Sequence, residues 1–427
     1  QLCDGACVET DVDPDNCGHC GNACDATEET CSAGACVKLC GDGALSRCGD
    51  ACVDTETDAA NCGHCGNACA GGEQCVAGAC VTPEAPKGVY TMSNDASGNA
   101  ILAFARAADG TLTAAGTFAA TGGKGTGAGL GNQHGLVFDA NLGRLFAVNA
   151  GDDSISMLKL ELDGTLTLES NVPSGGVHPV SITSHGDVVY VVNAGNAASV
   201  APGNIAGFKV QGDALVPIDG STKPLGAANP APAQIQFTPD GSALVVAEKG
   251  TNALDAYTVA ADVASGPVTT ASAGQTPFGF DFTPDGHLVV SEAWGGMAGQ
   301  SSVSSYSIDA SGALTAVTPA LPTTRTAACW LVVSNGFAFV ANAQTNDITG
   351  LAVAADGGLS LLDPSGVAGQ AGMAPVDEDV TDDGAFLYVV DNGSHALSVF
   401  AIGADGSLTK KPDFVGIPST ASGIVAR

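Results

Sequence analysis

The region from Gly88 onward repeats one pattern. Six copies are complete: "QHGLVFDANLGRLFAVNAG" starts at Gln133, "VHPVSITSHGDVVYVVNAG" at Val177 and "PAQIQFTPDGSALVVAEKG" at Pro232. "PFGFDFTPDGHLVVSEAW" starts at Pro277, "AACWLVVSNGFAFVANAQ" at Ala327 and "APVDEDVTDDGAFLYVVDNG" at Ala374. Each reads as a strand, a tight turn with Asp-Gly or an equivalent, and a second strand. A third strand follows, then a turn such as "LDGTLT" or "ADGSLT", then a fourth strand. Copies recur about every 40 to 50 residues, and four strands at that period predict a β-propeller blade. A further unit, Gly88 to Gly116, lacks its innermost strand, and the C-terminal "TASGIVAR" (Thr420 to Arg427) matches the missing piece. The expected fold is all-β: a seven-bladed β-propeller closed by a C-terminal strand. Closure of this kind removes exposed sheet edges.

The motifs h-x-h-x-P-D-G-x-x-h-h-V, V-N-x-G-x-x-x-I and D-G-x-L-T recur around these units. In this the region 88–427 resembles the β-propeller lactonase family, which includes bacterial phosphogluconolactonases and fungal carboxymuconate cyclases. The resemblance implies a channel site using histidine, arginine and glutamate. His134 in "NQHGLVF" matches the family histidine, but a second histidine two residues on is replaced by Leu136. The family's basic G-P-R-H stretch reads "APAQIQF" here, without a cation.

The first 80 residues have another character. Fifteen of the 16 cysteines lie between Cys3 and Cys80, and the last is Cys329. Shifting the chain by 45 residues lays Cys3, Cys7, Cys17, Cys20 and Cys24 on Cys48, Cys52, Cys62, Cys65 and Cys69. Cys31 and Cys36 fall on Cys75 and Cys80 after a one-residue deletion. Such density reads as a disulfide framework from an oxidising compartment, in a unit too small for a core of its own. Each unit shows seven cysteines. Cys40 completes the second unit as an eighth or pairs with Cys329, and spacing does not decide connectivity. The place matching Cys40 in the first unit lies before Gln1, so a longer array is expected. The pattern C-V-x4-D-x3-C-G-x-C-G-x-x-C resembles cysteine-rich repeats of secreted myxobacterial proteins. The expected division is repeat 1 over 1–39, repeat 2 over 40–81, a linker over 82–87 and the propeller over 88–427.

Net charge is −31. That argues against nucleic acid and anionic membranes as partners. No run of 18 apolar residues exists, so no membrane span is expected. Gln1 starts directly in the cysteine array, so no signal peptide is read. The expected location is extracellular or at the cell surface.

Chemistry in such a ring belongs in the central channel. Register places His134, His178, Gln234, Cys329 and Arg325 near its rim. Lactone hydrolysis needs a base for water and donors for the oxyanion. His134 is the candidate base, with Glu248 or Glu292 orienting it. Those two glutamates share their repeat position with Asn149, Asn193, Asn342 and Asp391, which favours turn capping instead. Asp377 and Glu378 are the candidate metal site, calcium being the ion their carboxylates suggest. No other cofactor is read. Glu378 aligns with Leu136, Val180, Ile235, Phe280 and Trp330, a core position where a carboxylate is costly. Zinc at Cys17, His19 and Cys20, or at Cys62, His64 and Cys65, competes with the disulfides. "GGKGTGAGLG" (Gly122 to Gly131) precedes a strand rather than a helix, so it reads as a flexible interblade loop.

The favoured function is a secreted or cell-surface interaction protein, with the propeller as rigid platform and the array as stalk. Its partners would be a protein, a surface glycan or further copies of itself. The alternative is an extracellular lactone hydrolase.

Overall fold

A computed structural model describes the chain except residues 4, 27, 28, 39, 41–44, 50, 71, 72, 82–85 and 197–200. Most of the expected linker falls outside the described residues. The chain divides into two compact units, Gln1–Glu84 and Ala85–Arg427.

The first unit consists of hairpins joined by turns. Glu29–Ser32 pairs with Ala35–Lys38, and Gln74–Val76 with Ala79–Val81, so "CSAGACV" and "CVAGACV" are each a hairpin. Disulfides replace a core. In the first repeat they join Cys3 to Cys20, Cys17 to Cys31 and Cys24 to Cys36. In the second they join Cys48 to Cys65, Cys62 to Cys75 and Cys69 to Cys80. Cys40 pairs with Cys52, so the alternative with Cys329 does not occur. Cys7 was expected in a disulfide but carries an exposed free thiol. It is the counterpart of Cys52, and no cysteine in residues 1–427 stands where Cys40's counterpart would be. The bridges consume Cys17, Cys20, Cys62 and Cys65, which leaves zinc no thiolates, and His19 and His64 are exposed. The Cys-Gly step has a packing cause. A Cβ on Gly18 would lie 2.4 Å from the Gly34 carbonyl, and one on Gly63 2.5 Å from that of Gly78.

The second unit is the seven-bladed ring. Six blades run outward in chain order from the innermost strands Leu136–Asp139, Pro179–His185, Pro232–Phe237, Pro277–Phe282, Ala328–Ser334 and Pro375–Val380. The remaining blade contains Gly88–Met92, Ala100–Arg106 and Leu112–Ala120, and its innermost strand is Ser422–Ala426. Val425 faces Tyr90 and Ala426 faces Val89 across an antiparallel ladder. Second strands such as "VVYVVN" and "ALVVAE" are buried throughout, as expected for sheets covered on both faces by neighbouring blades. Tyr190, Tyr257, Tyr306 and Tyr388 are the largest of the fully buried side chains. A buried phenol needs a partner. Tyr190 donates to Asp262 O, Tyr257 to Pro224 O and Tyr388 to Gly110 O.

Candidate functional site

The innermost strands pack side by side in a closed ring around the axis. Each has a neighbour on its outer side only, so its inward N–H groups lack ladder partners. Side chains from the preceding blade supply acceptors. Ser181 Oγ takes the Ile235 N–H, Gln234 Oε1 that of Phe280, Asp281 Oδ2 that of Val333 and Asp379 Oδ2 that of Ala426. Gln234 Nε2 also donates to Phe280 O at 2.7 Å, so its amide mimics one rung of a ladder. This explains polar residues inside strands such as "PAQIQF" and "PFGFDF" without invoking catalysis.

At the leading end, where the innermost strands begin, residues 131–134 cross the ring. Gln133 is fully buried. Its N–H bonds Ala233 O, its Nε2 bonds Leu331 O at 2.7 Å, and its Oε1 accepts the Leu331 N–H at 3.0 Å. Asn132 donates to Val180 O and accepts from Ser422 Oγ, and its carbonyl takes the Trp330 indole N–H. Two residues thus tie four blades together and cap the channel. The fit is tight: a Cβ on Gly279 would lie 1.9 Å from Gln133 Oε1. The preceding glycine-rich stretch is not the free loop expected from composition. Asn94 holds it, accepting the Thr126 N–H at 2.9 Å and donating to Ala128 O at 2.6 Å. Lys249 lies over the Phe278 ring, 4.6 Å from its centroid, and donates to Gly131 O. Burial lowers its pKa to about 8.

Below the cap, His134 Nδ1 contacts Gln234 Nε2 at 3.1 Å. Burial lowers the imidazole pKa to about 4, so it is neutral at physiological pH. Gln234 Nε2 also reaches Gln236 Oε1, and Gln236 Nε2 donates to Asp281 Oδ1 at 2.8 Å. His134 is on the wall of a cavity of about 300 Å³ that reaches the trailing end of the ring, with Gln236, Asp379 and Arg427.

The other candidates lie elsewhere. Glu292 is saturated by Ser272, Gly274, Ser302 and Ser304 within its blade and the loop leading into it. Glu248 accepts from Gly226 and Thr251, and burial first, then Asp255, raise its pKa to about 7. Both hold turns, as Asn149 and Asn193 do through Thr121 and Ser174, and neither shares a hydrogen bond with His134 among the described residues. Arg325 forms an ion pair with Asp347 of its own blade. His178 is half-buried and fixed through its backbone N–H to Asp153. Cys329 is a buried thiol whose pKa burial pushes up to about 12, which makes it unreactive.

Asp377 and Glu378 accept backbone amides. Asp377 Oδ1 accepts the Glu378 N–H, and Glu378 Oε1 accepts the Ala341 N–H. Glu378 Oε2 has no partner among the described residues. Burial raises both pKa values well above the carboxylate range. Calcium takes six to eight oxygens, and among the described residues no group of three ligating side chains contains either residue. Strand pairing places Glu378 with Leu136, Ile182, Ile235, Phe280, Leu331 and Val425. Five of these strands carry the same bulge after their first residue, and the shared register puts Ile182 and Leu331, rather than the expected Val180 and Trp330, at the core position.

These carboxyls set a pH dependence. Burial raises Asp379 to about 7, Glu248 to about 7 and Asp391 to about 6, besides Asp377 and Glu378. The native state therefore holds more protons than the unfolded chain, and stability falls as pH rises through about 4 to 7. His134 acts in the opposite sense between about 4 and 6.5, one group against six once Asp281, also raised by burial, is included. The aspartates lowered by D-x-S/T turns, such as Asp95 and Asp309, titrate below this window. Thermal melts should give a higher Tm at pH 5 than at pH 8, and Glu378→Gln should raise Tm more at pH 8 than at pH 5. A Tm that climbs steadily from pH 5 to 8 contradicts the assignment.

Residues 214–318 match the family described as Lactonase, 7-bladed beta-propeller. The fold likeness extends over the whole ring. A protein from Lactobacillus plantarum superposes with TM-score 0.63 at 21% identity, over 79% of this chain and 98% of that one. The Pseudomonas aeruginosa periplasmic gluconolactonase gives 0.62 at 20% identity, over 80% and 99%. The propeller is lactonase-like. A candidate 6-phosphogluconolactonase from Bacteroides uniformis also superposes, with TM-score 0.61 at 19% identity over 79% and 99%. No curated protein matches the chain. Within this lactonase-like frame, Asn132, Gln133, Gln236, Asp281, Asp379 and Lys249 went unread as channel residues. A signal was present for Gln236 and Asp379, each two positions from another polar residue in its strand, whereas Asn132, Gln133 and Lys249 lie outside strands.

Proposed function

We propose that the protein is a secreted or cell-surface interaction protein, with the lactonase-like propeller as a rigid platform and the disulfide-linked unit as a stalk. Its partners are a protein, a surface glycan or further copies of the chain. The observation that carries this reading is the cap: Asn132 and Gln133 occupy the leading end of the channel, next to His134. The nearest fixed partner of His134 is an amide, so no carboxylate raises its basicity, and Arg325 is committed to Asp347. The seven disulfides suit an oxidising compartment. No helix among the described residues is long and apolar enough to cross a membrane.

A second reading, an extracellular lactone hydrolase, is favoured by one observation. His134 lines the cavity at the trailing end with Arg427 in the same wall. A panel of sugar and aliphatic lactones, assayed with wild type and His134→Ala, separates the two. The expected outcome is ring opening at the buffer rate for both proteins. A saturable rate in wild type, lost in His134→Ala, would establish the hydrolase. Native mass measurement tests self-association, and a strictly monodisperse monomer at every concentration removes copies of the chain from the partners.

A further inference from the structure

The trailing end of the ring carries a groove that neither reading above uses. It holds about 660 Å³ and lies between the blade that starts at Pro232 and the blade that starts at Pro277. Pro239, Ala243, Pro284 and Ile308 give it apolar walls, and Asp240, Asp285 and Asp309 line the same space. Among the described residues no lysine or arginine pairs with these three carboxylates.

The repeat supplies a filled counterpart, between the blade that starts at Pro375 and the closing blade. There Thr381, Asp383 and Phe386 stand where Thr238, Asp240 and Ala243 stand here. Both turns close alike, Gly384 N–H to Thr381 O and Gly241 N–H to Thr238 O. The third strands Ala100–Arg106 and Ser302–Ile308 also end in the same turn, Ala107 N–H to Thr111 O and Asp309 N–H to Ala313 O, so Arg106 corresponds to Ile308. In the filled groove Phe386 is buried against Gly110, where a Cβ would come within 2.3 Å of the ring. Arg106 lies over that ring, 5.5 Å from its centroid, and reaches Asp383 Oδ2 at 3.3 Å, as Lys87 does at 3.4 Å. Asp383 Oδ1 serves the turn through Thr381 Oγ1 at 2.6 Å. Two more blades keep a ring at this place: Phe337 lies 2.6 Å from a Cβ on Gly406, and His287 2.5 Å from one on Gly357.

The open groove keeps the turn and loses the filling. Asp240 Oδ1 accepts from Thr238 Oγ1 at 2.7 Å and from the Ser242 N–H at 3.0 Å, as its counterpart does. The ring is replaced by the Ala243 methyl and the guanidinium by Ile308, so Asp240 Oδ2 faces no cation. Gly312, the counterpart of Gly110, has the Ala256 Cβ as its nearest neighbour, 3.4 Å from an added Cβ. A ring and a cation are therefore what the groove lacks. An anion would meet three carboxylates, and an apolar group alone would cover Asp240 without pairing it, which is costly. Arginine fits better than lysine, because its planar guanidinium stacks on a ring and binds a carboxylate at once. The net charge of −31 also draws basic partners toward the chain.

We infer that this groove docks a partner protein that inserts an arginine beside an aromatic residue, with the guanidinium on Asp240 and the ring over Ala243. The inference rests on the interaction-protein reading and gives its partner a chemistry.

The full chain is titrated by calorimetry with the peptide acetyl-Gly-Phe-Arg-Gly-amide, and with the same peptide carrying citrulline or glutamate in place of arginine. Amide resonances of Gly241, Ser242 and Gly286 locate the site. The expected result is saturable binding of the arginine peptide with Kd of about 1 mM or tighter, and those amides move with the same midpoint. Citrulline weakens binding by about tenfold, the worth of one hydrogen bond to a charged group. Asp240→Asn keeps an acceptor for the turn and weakens binding to the same degree. Ala243→Phe restores the ring found at Phe386 and abolishes binding. If Ala243→Phe does not fold, Asp240→Asn decides. The inference is overturned if the arginine peptide does not saturate the protein, if the citrulline or glutamate peptide binds as tightly, or if Asp240→Asn leaves affinity unchanged. A dimer of the chain that Ala243→Phe dissolves would put a second copy in the groove and overturn the assignment to another protein. Absence of peptide binding leaves the platform reading standing. A His134-dependent lactonase activity would overturn that reading and leave the peptide result unchanged, because no residue of the groove lines the channel cavity.

Discussion

Deleting residues 420–427 should abolish cooperative folding of the propeller. The strand Ser422–Ala426 fills the inner place of a blade begun more than 300 residues earlier. Ala421, Ile424, Val425 and Ala426 are buried. Ile424 and Val425 alone stabilise by about 3–6 kcal/mol in transfer terms. The strand also carries the Arg427 N–H to Gly88 O bond and the Thr91 hydroxyl bond to Gly423 O. Its loss strands Asp379 Oδ2, which accepts the Ala426 N–H, and opens two new sheet edges. The sum approaches the whole net stability of an ordinary domain, about 5–15 kcal/mol. The truncated chain should show no sigmoidal melt and strong dye binding to exposed apolar surface. A cooperative melt within about 5 °C of the full chain contradicts closure by this strand.

Reduction should separate the two units. Residues 1–84 have little apolar core: in the first repeat the buried cluster consists of Cys17, Cys24 and Cys31. Each bridge closes a sequence separation between 11 and 17 residues, worth about 3 kcal/mol per loop in the chain-entropy account. Without the bridges, short hairpins of two to four residues per strand cannot hold themselves. The propeller has no disulfide among its described residues, since Cys329 is a free buried thiol. In excess reductant, amide protection and protease resistance should vanish over residues 1–84, while the propeller melts within about 2 °C of its oxidised value. Protection that survives reduction in the first unit would mean that the cysteines are not its main support.

The architecture was legible because it repeats. Period-two strands, Asp-Gly turns and the orphan strand "TASGIVAR" together determine seven blades and the closing partner. The cysteine offset likewise predicted a twofold array, though not which thiols pair, since connectivity depends on how each hairpin folds back. The site was less legible, for a physical reason. Glu248 and Glu292 carry functional side chains but point into turns at the far end of second strands. Gln133 and Asn132 look like loop residues because their partners, Leu331 and Val180, lie 198 and 48 positions away. Alignment by motif also slipped in two blades, where Val180 and Trp330 stand one or two positions from the core residues Ile182 and Leu331.

The cap can be tested through one amide. The Leu331 N–H points to the axis, and its acceptor is the Gln133 side chain rather than a neighbouring strand. Residue-resolved hydrogen exchange on the full chain should protect Leu331 as strongly as the ladder amides of Ala338 and Val340, and Gln133→Ala should remove that protection while leaving theirs. Exchange of Leu331 within seconds in the wild-type protein would mean that the channel is open at its leading end, and the platform account would lose its main support.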